Sequence, residues 1–268
     1  MSSLVLVLKG VALGLANIIP GLSGGTVALI LGIYQFIIDC LAALVSFKKK
    51  TFMSSFACLF WIGVGGISGI FCFSFLIDWL LTYYLESSSF FFIGVIISSI
   101  PYILISESIK IITLPRISLC VIGVLIGFLF VSFKSLSTAT EIVGNYSNTY
   151  VFLSVMIAAA TMIIPGLSGS LVLVLFGTYS FVIASIKGVL IANLGLIAVA
   201  VGIGVFGCSK LISFCIKNHF QLTMSLVIGL MIGTVPGVFN GFSLPYLYLN
   251  ILSCCFGISI VWILKLFR

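Results

Sequence analysis

Polar residues and Pro/Gly clusters divide the chain into about ten apolar runs, at 4–19, 27–47, 52–81, 90–105, 117–133, 151–164, 171–186, 194–216, 220–239 and 246–266. Most approach the roughly 20 residues that a helix needs to cross a hydrocarbon core of about 30 Å. The first and sixth fall short. The third is too long for one upright span, which predicts tilt or a stretch along the interface. Runs of this length joined by short loops predict helices, because barrel strands would show alternation over about ten residues. The expected fold is an all-α polytopic membrane protein.

The pattern also repeats. Residues 18–24 read Ile-Ile-Pro-Gly-Leu-Ser-Gly, and residues 163–169 read the same seven in the same order. At the same offset Gly32 matches Gly177, Tyr34 matches Tyr179 and Phe36 matches Phe181. Gly63 and Gly65 correspond to Gly202 and Gly204, and Ile93-Gly94 with Pro101 to Ile228-Gly229 with Pro236. Such identity marks a duplication. Each half holds five runs, and an odd number sends the second copy in from the opposite side. The expectation is an inverted-topology repeat, with a first membrane repeat at 1–134, an external connecting loop at 135–149 and a second, inverted repeat at 150–268.

Composition narrows the class. Of 268 residues 62% are apolar and 6% charged, too few charges to coat a soluble body of this size. The net charge of +7 comes from scattered lysines and arginines, which read as topology signals and not as a nucleic-acid surface. With a cytoplasmic N-terminus and ten crossings, Lys9, Lys48, Lys49, Lys50, Lys110, Arg116, Lys210, Lys217, Lys265 and Arg268 fall inside, and Lys134 and Lys187 outside. Both termini are therefore assigned to the cytoplasm. The assignment survives if the first two runs form a re-entrant hairpin. No charged segment precedes a small-residue cleavage site, so the first run is expected to persist in the mature protein. The eight cysteines lack metal or redox spacing and read as apolar fillers. All five acids (Asp39, Asp78, Glu86, Glu107, Glu141) lie in the first 141 residues, so the second copy has no side-chain carboxylate.

The Pro-Gly-Leu-Ser-Gly elements carry the candidate chemistry. Proline and glycine stop the incoming helix. Ser23 or Ser168 then caps the next one, leaving the N–H groups of Gly24, Gly25 and Thr26, or of Gly169, Ser170 and Leu171, at a helix N-terminus. Unpaired N–H groups in lipid cost several kcal/mol each, so they must face protein, water or a ligand. Two such termini meeting near the midplane from re-entrant hairpins would cradle an anion, with hydroxyls as added donors. The bland alternative is a pair of tight helix turns with glycines for packing.

The stretches Asn17-Ile-Ile-Pro-Gly-Leu-Ser-Gly-Gly-Thr-Val-Ala-Leu-Ile-Leu-Gly-Ile-Tyr34 and Met162-Ile-Ile-Pro-Gly-Leu-Ser-Gly-Ser-Leu-Val-Leu-Val-Leu-Phe-Gly-Thr-Tyr179 resemble a bacterial membrane family long known only as a domain of unknown function. Its members have been identified as undecaprenyl-phosphate (polyprenyl-phosphate) transporters. The resemblance covers nearly the whole chain. It implies a flippase in the bacterial cytoplasmic membrane that returns the lipid carrier of cell-wall synthesis to the inner leaflet, with a polyprenyl phosphate as its partner among the membrane lipids. It implies no enzymatic activity and no cofactor. Carried over residue by residue, it points to Pro20, Gly21, Ser23, Gly24, Gly25 and Thr26, and to Pro165, Gly166, Ser168, Gly169 and Ser170, as the phosphate site.

The family pattern places acidic or charged residues where this chain has Asn17, Gln35, Thr178 and Ser180. If those groups hold a coupling proton or sodium ion in relatives, this copy has lost or relocated that coupling. Asp39 is the nearest remaining carboxylate, either at bilayer depth or at the cytoplasmic interface. Further path-lining candidates are Lys9, which otherwise snorkels to the interface, together with Asn17, Gln35, Ser99 and its match Thr234. Glycines four apart (Gly65 and Gly69, Gly123 and Gly127, Gly229 and Gly233) read as close-packing faces. The alternative function is a small-anion or ion transporter or channel using the same site. A lipid phosphatase is weakest, since one histidine and few acids give no nucleophile–base constellation.

Overall fold

A computed structural model describes residues 1–19, 23–45, 49–137, 146–188 and 190–264. Every regular element among them is helical. In chain order they are α1 (Ser3–Ile18), α2 (Gly24–Ile30), α3 (Tyr34–Val45), α4 (Lys49–Tyr83), α5 (Leu85–Ser106), α6 (Leu114–Ser137), α7 (Asn148–Ile163), α8 (Gly169–Leu175), α9 (Tyr179–Lys187), α10 (Ile191–Thr234) and α11 (Leu247–Leu264). Short 3-10 turns at Val235–Val238 and Leu244–Tyr246 link the last two. Five stretches are long and apolar enough to span a bilayer, within α4, α5, α6, α10 with its following turn, and α11 with its preceding turn. At about 1.5 Å per residue, α10 is long enough to cross twice, and it is broken at His219 (φ −138°, ψ 48°) into arms 191–218 and 220–234. That break separates two of the predicted runs.

Two other runs are less continuous than their hydropathy suggests. The run at 27–47 is cut into α2 and α3, which meet at 119°, and the run at 171–186 into α8 and α9. Glycine is the cause in both. Gly32 (φ 66°) and Gly177 (φ 69°) take the left-handed conformation that ends a helix. The N–H of Gly32 bonds Leu29 O at 3.1 Å and that of Ile33 bonds Ala28 O at 2.9 Å. Gly177 N to Val174 O and Thr178 N to Leu173 O, both at 2.9 Å, repeat the arrangement, which is the Schellman pairing that satisfies terminal carbonyls. The expected connecting loop at 135–149 is also shorter at its ends, because α6 reaches Ser137 and α7 begins at Asn148 behind its Ser147 cap. Residues 138–145, with Glu141, lie outside the described residues.

Close helix pairs hold the body together: α1 on α4, α7 on the first arm of α10, α5 on α11 and α6 on the second arm of α10. Small residues make the approach possible, since lipid supplies no hydrophobic drive between helices and packing contacts decide association. A Cβ on Gly10 or Gly14 would strike the carbonyls of Ile62 or Gly66, and one on Gly65 or Gly69 those of Val7 or Val11. Gly94 is pressed on Cys254 O and Gly257 on Phe91 O, while Gly229 is pressed on Cys120 O and Gly123 on Leu226 O. The glycines at four-residue spacing thus serve as packing faces. Large apolar side chains such as Phe71 and Phe75 point outward at 76% and 86% exposure, as lipid-facing positions should. The interior is centred on α2, whose Thr26 to Ile30 are all buried.

Polar ties sit toward the helix ends. Glu86, in the first turn of α5, accepts bonds from Ser243 N (3.1 Å) and Ser243 Oγ (2.8 Å). Across the body, Gln221 Oε1 accepts from Lys110 N at 3.0 Å and Gln221 Nε2 donates to Ser108 O at 3.1 Å.

Gly94→Ala and Gly229→Ala should each lower the melting temperature in detergent by several degrees, since overpacking costs about 1–3 kcal/mol. Gly63 and Gly202, whose Cβ would meet nothing within 4 Å, provide the control. Alanine there should leave stability unchanged or raise it by about 0.5–1 kcal/mol, and equal melting of all four variants would contradict the packing scheme.

Candidate functional site

The described residues of the two Pro-Gly-Leu-Ser-Gly elements come together in the interior. Pro20 and Gly21 lie outside the described residues, but Ser23 and everything after it in α2 is described. Ser23 Oγ caps α2 by accepting the N–H of Thr26 at 3.2 Å, and it lies 3.1 Å from Thr26 Oγ1. The same oxygen accepts the N–H of Gly166 at 2.9 Å, which joins the first element to the second. Gly166 holds φ 88° and packs so tightly on the backbone of Met231 that its Cβ would lie 3.0 Å from Met231 N. Gly25 faces Pro165, where a Cβ would sit 3.1 Å from the proline Cα. Asn17 Oδ1 accepts the N–H of Gly24 at 3.2 Å, and Tyr34 donates its hydroxyl to Ile163 O at 3.3 Å. The N–H groups of Gly24 and Thr26 at the start of α2 are thus committed to protein groups.

The second element is arranged differently. Ser168 makes no bond to a backbone N–H of α8, and its Oγ instead lies 2.8 Å from Ser170 Oγ. Gly169 pins α8 against α7, where a Cβ would meet Ala158 O at 2.6 Å. Ser168, Gly169 and Ser170 line a cavity of about 610 Å³ together with Gly166, Asn17, Ser23, Tyr179 and Thr234. Its remaining walls are mostly apolar, from Met162, Leu173, Val182, Ile197 and Val201 among others, and the described lining residues include no charged side chain. A patch of hydroxyls and an amide set in an apolar chamber suits a ligand with a small polar head and a hydrocarbon body.

Most of the other candidates fall elsewhere. Thr26 is 2% exposed and bonded to Ser23. Lys9 is buried and donates to Leu31 O at 3.0 Å, placing a cation at the C-terminus of α2 where the helix dipole favours it. Tyr150 does the equivalent service for α8, donating to Phe176 O at 2.9 Å. Leu31 and Phe176 are repeat mates, but Lys9 and Tyr150 are not, so no alignment of the halves reveals this pairing. Gln35 lines a separate cavity of about 130 Å³ with Tyr34 and Glu107. Asp39 is paired with Lys217 at 2.8 Å and accepts from Ser213 Oγ at 2.8 Å, tying α3 to the first arm of α10. Ser99 is fully buried and bonds Ile96 O at 2.7 Å, whereas Thr234 lines the large cavity while bonding Leu230 O and Met231 O, both at 3.1 Å. Tyr179 is a cavity residue that motif reasoning did not single out for a role, although its match to Tyr34 was visible.

Ser23→Ala removes an acceptor that serves two buried N–H groups and should destabilise the protein by about 1–3 kcal/mol. Ser168→Ala removes one hydroxyl–hydroxyl contact and should change stability by less than about 0.5 kcal/mol. Thermal melts of the two purified variants check this, and equal melting temperatures would contradict the asymmetry.

The chain is 32% identical over 249 residues to a polyprenyl-phosphate transporter of Vibrio cholerae, covering 89% of this chain and 78% of that protein. It is 33% identical over 250 residues to a polyprenyl-phosphate transporter of Staphylococcus aureus, covering 88% and 86% respectively. No solved structure matches it. Residues 13–246, which hold both serine elements and the cavity between them, match the undecaprenyl phosphate translocase-like family, and the chain belongs to that family.

Proposed function

We propose that this protein is a flippase that carries undecaprenyl phosphate or a similar polyprenyl phosphate across the bacterial cytoplasmic membrane, recycling the lipid carrier of cell-envelope synthesis. The observation that carries the reading is the cavity itself, where Ser168 and Ser170 stand as paired hydroxyls within mostly apolar walls. The phosphate sits at the start of α8, within reach of those hydroxyls and of neighbouring N–H groups, and the isoprenoid tail lies along the apolar side. Neutral donors are sufficient for an anion where the surroundings exclude water, because hydrogen bonds to a charged group are strong there. Carboxylates, absent from the second copy, would repel the cargo.

Transport requires two faces, and an inverted-topology repeat provides them. In this reading 1–134 and 150–268 are the two copies, joined by an external segment at 135–149, and both termini are cytoplasmic. Support comes from matched contacts. Gly94 on Cys254 and Gly257 on Phe91 join α5 to α11, and Gly229 on Cys120 and Gly123 on Leu226 join the second arm of α10 to α6. These are the same four positions with the copies exchanged. Under the positive-inside assignment, cavity residues Val131, Ile197, Val201 and Gly237 lie toward the external ends of their helices, so the cavity faces the outer leaflet, from which the carrier is to be collected.

Purified protein should bind undecaprenyl phosphate in detergent, and the double variant Ser168→Ala, Ser170→Ala should bind it about tenfold more weakly, as expected for losing a bond to a charged group, with an unchanged melting temperature. Unchanged affinity in the folded variant would remove the site assignment. Competition by inorganic phosphate as effective as that by the lipid would favour a small-anion transporter instead.

A further inference from the structure

The repeat pairs Tyr34 with Tyr179, each the first helical residue after a left-handed glycine and each opening the third helix of its copy. The two occupy opposite environments. Tyr34 is 5% exposed, with its hydroxyl on Ile163 O, the carbonyl at the last residue of α7. Tyr179 is 40% exposed, lines the large cavity beside Ser168 and Ser170, and has no hydrogen-bond partner for its hydroxyl among the described residues. The repeat mate of Ile163 is Ile18, the last residue of α1, and Ile18 also lines that cavity. The chamber that holds Tyr179 therefore includes the residue equivalent to the one Tyr34 bonds, yet that bond is not made. Among the described residues the serines differ in the same sense, with Ser23 engaged by Gly166 N and Thr26 N, and Ser168 by Ser170.

We propose that Tyr179 is a headgroup donor, its phenol O–H binding a phosphate monoester oxygen in the cavity, and that Tyr34 is its alternating counterpart, latched on a helix-end carbonyl while Tyr179 is free. The assignment rests on the transport reading and extends it to residues outside the serine elements. A phenol suits both tasks, because its O–H donates equally to a carbonyl or to a phosphate oxygen. When the copies exchange environments, Tyr179 takes the latch position on Ile18 O and Tyr34 is released to donate to the headgroup. A hydroxyl held by a helix-end carbonyl in one state and by cargo in the other spends neither state unsatisfied in a low-dielectric interior.

The test compares affinity for undecaprenyl phosphate and for undecaprenol, the same tail without the phosphate, in the unaltered protein and in Tyr179→Phe and Tyr34→Phe. Phenylalanine keeps the ring and removes only the donor, and the exposure of Tyr179 means that its ring is not a core support. Tyr179→Phe should weaken undecaprenyl phosphate binding about tenfold, the loss expected for a bond to a charged acceptor, and leave undecaprenol binding unchanged. Tyr34→Phe should retain the preference for the phosphate while lowering the melting temperature. A folded Tyr179→Phe protein that prefers the phosphate as strongly as the unaltered protein, or that loses both lipids equally, overturns the donor role. A Tyr34→Phe protein that loses the preference as Tyr179→Phe does overturns the alternation. Failure of the unaltered protein to prefer undecaprenyl phosphate over undecaprenol overturns the transport reading and the tyrosine assignment with it.

Discussion

In hydrocarbon every backbone N–H and C=O must find a partner, because each one left bare costs several kcal/mol. Most of this chain meets the requirement with continuous helix. At the two Pro-Gly-Leu-Ser-Gly elements the helix stops inside an apolar sequence, and the freed groups need other partners. Around α2 they are supplied by Ser23, Asn17 and the Schellman turn at Gly32, with Lys9 closing the last carbonyl. Around α8 the C-terminal end is closed in the same way, by the turn at Gly177 and by Tyr150. Its N-terminal end faces a cavity. The same demand for satisfaction that fixes α2 in place thus defines where a ligand's oxygens would be useful.

Glycine makes the arrangement possible in two distinct ways. At Gly32, Gly166 and Gly177 it supplies a left-handed backbone, and in the long helices it lets backbones touch. The close pairs α1–α4 and α5–α11, with their counterparts α7–α10 and α10–α6, form a tightly packed frame. Short α2 and α8 lie between its parts, with seven residues each. Elements this short draw their stability from their surroundings and little from their own hydrogen bonds. A contact such as Ser23 to Gly166 therefore has leverage over how α2 sits against the second element.

Much of this was legible in the residues. The duplication at offset 145, the helical class and the packing glycines follow directly from spacing and hydropathy, and the serine elements were recognisable as helix starts. The breaks at Gly32 and Gly177 were not inferred, because hydropathy averages over a single glycine; the shared Gly-x-Tyr after each apolar stretch was the signal available. Lys9 and Asp39 read as possible path residues because a charge in an apolar run suggests function. Their partners, Leu31 O and Lys217, lie 22 positions away for Lys9 and far along the chain for Asp39, on α10, and no local pattern announces them. The inequality between Ser23 and Ser168 was not visible within the seven identical residues, although the next two positions differ, Gly25 and Thr26 against Ser170 and Leu171, and each serine makes its hydroxyl contact there.

The transport reading holds that a phosphate-bearing polyprenyl lipid crosses the membrane through this protein. It is tested most directly by placing the purified chain in vesicles loaded with undecaprenyl phosphate in one leaflet and following the appearance of the headgroup in the other. Exchange should depend on the protein and be abolished when Ser168, Ser170 and Tyr179 are replaced together by alanine, alanine and phenylalanine. Exchange no faster than in protein-free vesicles would contradict it.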